Sequence, residues 1–137
     1  MNRLALAYVA TGIVFVVLDL IWLAATGPLI YRPQLSEVVR DTPRIAPSIA
    51  FYVLYVAGLV WFGVRPALSD GRWRTAVLNG ALFGLIAYAT YDLSNQATLK
   101  VWPGEVTTLD LCWGAALSAG SATVGFFLGR MASRPDP

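Results

Sequence analysis

The sequence predicts an all-α membrane protein with four transmembrane helices packed in a compact bundle. Two observations support this prediction: the composition of the chain and its four long apolar segments. Of the 137 residues, 57% are hydrophobic and only 13% are charged, whereas soluble domains carry about 25% charged residues. A chain this short and this apolar is expected to form a single membrane domain over residues 1–137.

Each apolar segment is close to the roughly 20 residues that a helix needs to cross the hydrocarbon core. The segments predict helices at about 4–26, 47–64, 75–99 and 109–129. Because backbone polar groups must be paired within the chain in lipid, a helix is the natural structure for such segments. The first segment could instead be a signal peptide, but its length and internal aspartate favour a membrane span.

The longest connection, 27–46, is predicted to be an extramembrane linker because it contains three prolines. Its middle part, 34–40, could form a short interfacial helix with Leu35, Val38 and Val39 facing lipid. Four aromatic residues lie near the predicted helix ends, where aromatic belts are expected. They are Trp61, Trp73, Trp102 and Tyr31.

Lysine and arginine counts predict the orientation, because cytoplasmic connections are enriched in them. Six basic residues lie on the side of the termini and four on the other side. They are Arg3, Arg65, Arg72, Arg74, Arg130 and Arg134, against Arg32, Arg40, Arg44 and Lys100. We therefore expect both termini to be cytoplasmic.

Three aspartates interrupt the apolar segments, and the topology places them at one level of the membrane. Asp19 lies in the outer half of the first helix, Asp92 near the outer end of the third, and Asp110 at the start of the fourth. This convergence holds for either orientation. An intramembrane charge costs at least about 2.5–3.5 kcal/mol, so we expect these carboxyls to face the bundle interior.

Residues near the aspartates supply hydrogen-bond donors. Tyr88, Asp92 and Asn95 share one helical face because they are spaced i, i+4, i+7. Asp19 and Asp110 each begin a DLxW sequence, so an indole follows each carboxyl by three residues. The candidate ligand-binding residues are Asp19, Trp22, Tyr52, Tyr55, Tyr88, Tyr91, Asp92, Asn95, Asp110 and Trp113. No lysine or arginine lies within the spans, so we expect one or more of the aspartates to be protonated at neutral pH.

Structural roles are the alternative for two of the aspartates. Thr107 and Asp110 have the spacing of a capping box, in which a carboxylate stabilises the helix amino terminus. Asp19 can instead be a buried neutral residue that bonds across helices. Asp92 has the most polar surroundings and is the strongest functional candidate.

The composition excludes several kinds of site. Histidine is absent and Cys112 is the single cysteine, so the chain has no intrachain disulfide and no Cys/His zinc site. A net charge of +2 is too small to indicate nucleic-acid binding. We expect no cofactor, although Asp19, Asp92 and Asp110 would suit a hard divalent cation if a metal binds. The expected partners are membrane lipids, with a second copy or another membrane protein as further partners.

Three motifs resemble those of one family. The sequences "LDLIWL", "YATYDLSNQATLK" with a following "WP", and "DLCWG" are similar to the bacterial membrane-protein family catalogued as domain of unknown function 2177. The resemblance covers nearly the whole chain and implies four spans in a bacterial inner (cytoplasmic) membrane. The motif positions are Asp19, Trp22, Tyr88, Tyr91, Asp92, Asn95, Asp110, Trp113 and Gly114. The resemblance implies no established activity.

Three functions fit the sequence. The first is binding of a small ligand, a cation or proton, or a lipid headgroup in a polar and aromatic pocket near the non-cytoplasmic face. The second is a small membrane enzyme acting on lipid or isoprenoid substrates, with carboxyls and tyrosines as general acid and base. The absence of histidine and of a phosphate-binding loop counts against it. The third is a structural subunit whose buried polar layer fixes helix register.

Overall fold

Four long helices joined by short turns make up almost all of the described chain. The computed structural model describes residues 2–132, so Arg134 of the charge count lies outside the described residues. The helices are α1 (Arg3–Leu35), α2 (Ile45–Asp70), α3 (Trp73–Thr98) and α4 (Gly104–Met131), and each is long and apolar enough to cross a membrane. Residues 2–132 contain no strand. The predicted all-α bundle of four membrane-spanning helices is confirmed.

The helix ends differ from the predicted ends at several points. α1 continues past residue 26 to Leu35, so the first part of the predicted linker 27–46 is helical. Residues 36–38 form turns, and no separate interfacial helix forms at 34–40. α2 continues past the predicted end at 64 to Asp70, and α4 begins at Gly104 rather than at 109.

A π-helical turn precedes a proline in both α1 and α2, and this explains why the helices continue. In α1 the turn is Gly27–Tyr31, and the Arg32 N–H donates five residues back to the carbonyl of Gly27. In α2 the turn is Val60–Val64, followed by Arg65 and then a proline. A proline has no N–H and crowds the carbonyl four residues earlier. The wider π turn gives the ring room without ending the helix.

The turn between α2 and α3 is closed by Asp70. Its carboxylate accepts the Arg72 N–H at 2.9 Å and the Thr75 hydroxyl at 2.6 Å. Gly71 adopts φ 71°, a left-handed conformation that glycine tolerates without steric cost. The Arg130 guanidinium donates to the carbonyl of Gly71 at 3.3 Å, so the end of α4 is held against this turn.

α4 is the most buried of the four helices and packs against both α3 and α1. Gly80 and Gly84 of α3 lie directly against the backbone of α4 near Gly114 and Ser118. On another face of α4, Gly125 lies against the Thr11 side chain of α1. Small residues let helix backbones approach closely in membranes, so the GxxxG step of α3 serves packing within the bundle.

The interior of the bundle changes character along its length. From the end that carries the termini to the middle, the interior is an apolar cluster that includes the buried residues Phe15, Leu59, Leu117 and Phe126. Toward the end that carries the 36–44 and 99–103 connections, aspartates and aromatic residues replace the aliphatic ones. The polar layer therefore lies at the end of the bundle opposite the termini.

Candidate functional site

Asp19, a residue that is only 6% exposed, joins three helices through its carboxyl group. The Tyr52 hydroxyl of α2 donates to Oδ2 at 2.7 Å, and the Trp113 indole Nε1 of α4 donates to Oδ1 at 3.3 Å. Both donors are neutral. Each carboxyl oxygen therefore has a partner, as buried polar atoms generally do.

Asp110 is joined to α1 through a second chain of hydrogen bonds. The Tyr31 hydroxyl donates to Asp110 Oδ1, and the Trp22 indole Nε1 donates to the Tyr31 oxygen at 3.0 Å. The capping-box interpretation of Asp110 is wrong. Because α4 begins at Gly104 with Pro103 as its N-cap, Asp110 lies inside the helix and its side chain faces α1.

The two chains of hydrogen bonds meet at a pair of stacked indoles. The ring centroids of Trp22 and Trp113 are 4.3 Å apart, and the ring planes are 6° from parallel. The stack lies between Asp19 on one side and the Tyr31–Asp110 pair on the other. Residues of α1, α2 and α4 are thus linked into one polar and aromatic network.

Asp92 lies behind this network and is fully buried. Among residues 2–132, neither of its carboxyl oxygens makes a hydrogen bond of standard geometry, although the Asp110 and Trp102 side chains lie close enough to interact with it. The charged side chain that acts most strongly on Asp92 is Asp110. Asp110 in turn interacts with Asp19. The three carboxyls lie near one another, yet no group of three His, Cys, Asp or Glu side chains in residues 2–132 is arranged to hold a metal ion.

A cavity of about 620 Å³ opens at this end of the bundle; we call it the aromatic cavity. The predicted site residues that line it are Asp19, Trp22, Tyr55, Tyr88, Tyr91, Asp110 and Trp113. Three predicted residues are not part of its wall. Tyr52 supports Asp19 from behind, Asp92 is buried behind Asp110, and Asn95 lies beside the Tyr91 hydroxyl.

Tyr88 and Tyr55 form the deep wall of the aromatic cavity. Tyr88 packs against Gly114, where a Cβ would collide with its ring. The Tyr55 ring is nearly perpendicular to the Tyr88 ring, with centroids 6.2 Å apart, and the Tyr55 hydroxyl shares a 2.8 Å hydrogen bond with Ser118. These contacts fix the ring positions from three helices.

Most wall residues were not predicted as site residues from the sequence. They include Tyr31, Arg32, Leu35, Arg40, Phe51 and Trp102. Most of them belong to the end of α1 and the following turns, a region that the prolines mark as a linker. The one sequence feature that could have indicated a site here is the presence of Tyr31, Arg32 and Arg40 in this segment. Aromatic and basic residues are equally typical of a membrane interface, so the feature does not identify a binding site.

The arginines lie at the entrance of the aromatic cavity rather than beside its carboxyls. Arg32 and Arg40 are exposed residues on the segment that borders the opening, together with Asp41. The hydrogen-bond donors to Asp19 and Asp110 are the neutral groups of Tyr52, Trp113 and Tyr31. The cavity thus has an acidic and aromatic interior and a mainly basic entrance.

Comparison with known proteins gives one result. No curated protein and no solved structure matches the chain. A family described as "Predicted membrane protein (DUF2177)" matches residues 4–127. The matched region includes Asp19, Asp92 and Asp110 and nearly all of the four helices. The chain therefore belongs to the family of predicted membrane proteins called domain of unknown function 2177.

Proposed function

We propose that this membrane protein binds a small amphiphile, with its headgroup in the aromatic cavity. The observation that carries the proposal is the cavity itself, with about 620 Å³ of space beside two buried carboxyls. Pockets for small molecules usually measure about 300–1,000 Å³ and combine apolar walls with a few fixed polar groups. A bare metal ion or proton would leave most of this volume empty, so a headgroup is the better occupant.

The rim of the cavity supports a lipid-like ligand. Leu23 and Phe51 line the cavity and are also 46% and 43% exposed. In a membrane these exposed apolar faces contact acyl chains, because the helices have lipid around them. An amphiphile can therefore lie with its apolar part against the rim and its headgroup inside, between the helices.

We also propose the location and orientation of the site. Arginine and lysine counts favour cytoplasmic termini, and the aromatic cavity lies at the opposite end of the bundle. The cavity then opens on the non-cytoplasmic side of a bacterial inner membrane. A cysteine introduced at Ser36, which is exposed in the turn after α1, should react with a membrane-impermeant thiol reagent added to intact spheroplasts.

A cavity-filling substitution tests the binding function. Ala87 lines the cavity, so Ala87→Trp should fill part of it, whereas Leu82→Trp places the same side chain on an exposed face of the same helix. The purified proteins would be mixed with a defined set of membrane lipids and examined by native mass spectrometry. Bound lipid should fall strongly in Ala87→Trp and stay unchanged in Leu82→Trp. Equal occupancy in both variants would contradict binding in the cavity.

A further inference from the structure

We propose that the group bound in the aromatic cavity is an organic ammonium that is joined to a phosphate held at the entrance. This inference rests on the proposed binding function and names the ligand's chemical class. The shared chemistry is that of a zwitterionic phosphate ester of an amino alcohol, either as a free molecule or as the headgroup of a phospholipid.

The charge distribution inside the cavity favours a cation. Asp19 and Asp110 line the cavity, and their hydrogen-bond donors are neutral hydroxyl and indole groups. When both are charged, Asp19 and Asp110 repel one another through space. Like charges at one level of a low-dielectric interior repel strongly. A bound cation reduces that repulsion, and the carboxyl oxygens on the cavity wall are its natural partners.

The aromatic walls favour an organic cation over a metal ion. Eight aromatic residues line the space: Trp22, Tyr31, Phe51, Tyr55, Tyr88, Tyr91, Trp102 and Trp113. A cation over the face of such a ring gains about 0.5–2 kcal/mol, and aromatic cages are the usual sites for quaternary ammonium groups. Calcium requires six to eight oxygen ligands. Residues 2–132 provide no cluster of even three acidic side chains suited to a metal.

The entrance favours an anion at the other end of the ligand. Arg32 and Arg40 border the opening, with Asp41 as the acidic residue among them. Guanidinium groups match the geometry of phosphate oxygens with two parallel hydrogen bonds. A ligand with an ammonium toward Asp110 and a phosphate toward Arg32 follows the charge pattern from the interior to the mouth. The exposed rim then takes any attached acyl chains.

Matched soluble probes test this inference on the wild-type protein in maltoside micelles. Choline would be compared with 3,3-dimethylbutan-1-ol, a neutral molecule of nearly the same shape, and with phosphocholine. Binding would be followed by intrinsic tryptophan fluorescence, because Trp22 and Trp113 line the cavity. We expect choline to bind at least about tenfold more tightly than the neutral alcohol, the effect of one well-placed cation–π or charge contact. Phosphocholine should bind more tightly than choline.

Two charge-matched variants locate the effect. Asp110→Asn should remove the preference for choline over the neutral alcohol, while Asp70→Asn, an exposed aspartate at the other end of the bundle, should retain it. Arg32→Gln should remove the advantage of phosphocholine over choline. Equal binding of choline and the alcohol to the wild-type protein would overturn the ammonium inference and leave the binding function standing. This comparison needs no variant, so a misfolded Asp110→Asn would not obscure it.

A further experiment with lipids distinguishes a phospholipid headgroup from a free soluble ligand. Nanodiscs of phosphatidylglycerol with or without phosphatidylethanolamine would be used to measure choline binding. If the natural ligand is a lipid headgroup, phosphatidylethanolamine should weaken apparent choline binding severalfold, whereas unchanged binding would assign the site to a soluble ammonium compound. If choline, the neutral alcohol and lipids all failed to bind, both this inference and the proposed function would be wrong.

Discussion

The indole rings of Trp22 and Trp113 stack in parallel at 4.3 Å, and each tryptophan serves the aspartate of the other's motif. Trp113 donates directly to Asp19, while Trp22 reaches Asp110 through the Tyr31 hydroxyl. Three crossings precede the start of α4, so α1 and α4 begin at opposite ends of the bundle and run in opposite directions. The repeated DLxW sequence is therefore a reciprocal arrangement, in which two antiparallel helices exchange hydrogen bonds across a stacked pair.

Removing the Trp113 N–H should destabilise this arrangement. Trp113→Phe keeps an aromatic ring in the stack but leaves Asp19 Oδ1 without its donor. A buried polar atom that loses its partner costs about 1–3 kcal/mol. We expect a loss of this size in the free energy of unfolding, measured by circular dichroism during titration of mixed micelles with dodecyl sulfate.

Trp61→Phe is the matched control for that substitution. Trp61 lies on an exposed face of α2, where the Arg65 guanidinium sits 4.1 Å from its ring centroid. The same chemical change there should alter stability by less than about 0.5 kcal/mol, as is usual for surface substitutions. Similar losses in both variants would show that the bond to Asp19 contributes nothing specific.

Tyr31 and Trp22 should be energetically coupled, because the Trp22 N–H donates to the Tyr31 oxygen at 3.0 Å. A double-mutant cycle with Tyr31→Phe and Trp22→Phe should give a coupling energy of about 0.5–3 kcal/mol, the range for residues in one hydrogen-bond network. The control cycle pairs Tyr31→Phe with Trp61→Phe, which should be additive within about 0.5 kcal/mol. Additivity in both cycles would contradict the chain from Trp22 through Tyr31 to Asp110.

Asp92 should tolerate an amide better than Asp19 does. Both carboxyl oxygens of Asp92 are buried without a geometrically formed hydrogen bond among the described residues, and Asp110 and Trp102 are the polar side chains nearby. Asp92→Asn removes a potential charge and keeps one oxygen that can face them. A buried unpartnered carboxylate is costly, and we expect the free energy of unfolding to stay equal or to rise. Asp19→Asn replaces one of two accepting oxygens with a donor and should lose about 1–3 kcal/mol.

Dodecyl sulfate titrations of the two asparagine variants at neutral pH would check this ordering. A larger loss for Asp92→Asn than for Asp19→Asn would mean that Asp92 has an essential partner, and would contradict the unpaired state of its carboxyl. The comparison is matched, since both variants make the same chemical change at the same level of the bundle.

The level of the three aspartates was predictable because topology alone fixes it. With four spans and short connections, Asp19, Asp92 and Asp110 must lie toward the same end of the bundle, and in the structure Asp110 is near enough to interact with both of the others. The hydrogen-bond partners were less predictable. Helical spacing predicts that Asn95 and Tyr88 lie on one face of α3. Residues on one helical face can still point in somewhat different directions, and only Tyr88 lines the cavity.

Tyr31 was missed for a definite physical reason. The sequence predicts that the first helix ends near residue 26, which leaves Tyr31 in a linker with no fixed position relative to Trp22; even in a continuous α-helix, residues nine apart lie on opposite faces. The π turn at Gly27–Tyr31 shifts the register, and the Tyr31 hydroxyl reaches the Trp22 indole. The prolines at 28 and 33 predict an interrupted helix, and the sequence contains no separate indication that a π turn carries the helix through them.

Glycines at the α3–α4 interface should be far more sensitive than a glycine on the bundle surface. A Cβ at Gly84 would collide with the carbonyl of Gly114 and the hydroxyl of Ser118, whereas a Cβ at Gly120 would meet no described atom within 4 Å outside its local helix. Overpacking typically costs about 1–3 kcal/mol, and a collision with backbone cannot be relieved by a rotamer change. We therefore expect Gly84→Ala to lose at least this amount of unfolding free energy.

Gly120→Ala provides the contrast in the same pair of helices. Alanine is favoured over glycine inside a helix by about 0.5–1 kcal/mol, so this substitution should be neutral or slightly stabilising. Dodecyl sulfate titrations would measure both variants. Because the Gly114 that Gly84 contacts also supports Tyr88, Gly84→Ala should in addition weaken ligand binding in the aromatic cavity. Equal stability of the two alanine variants would show that α3 and α4 do not approach as closely as Gly84 and Gly114 indicate.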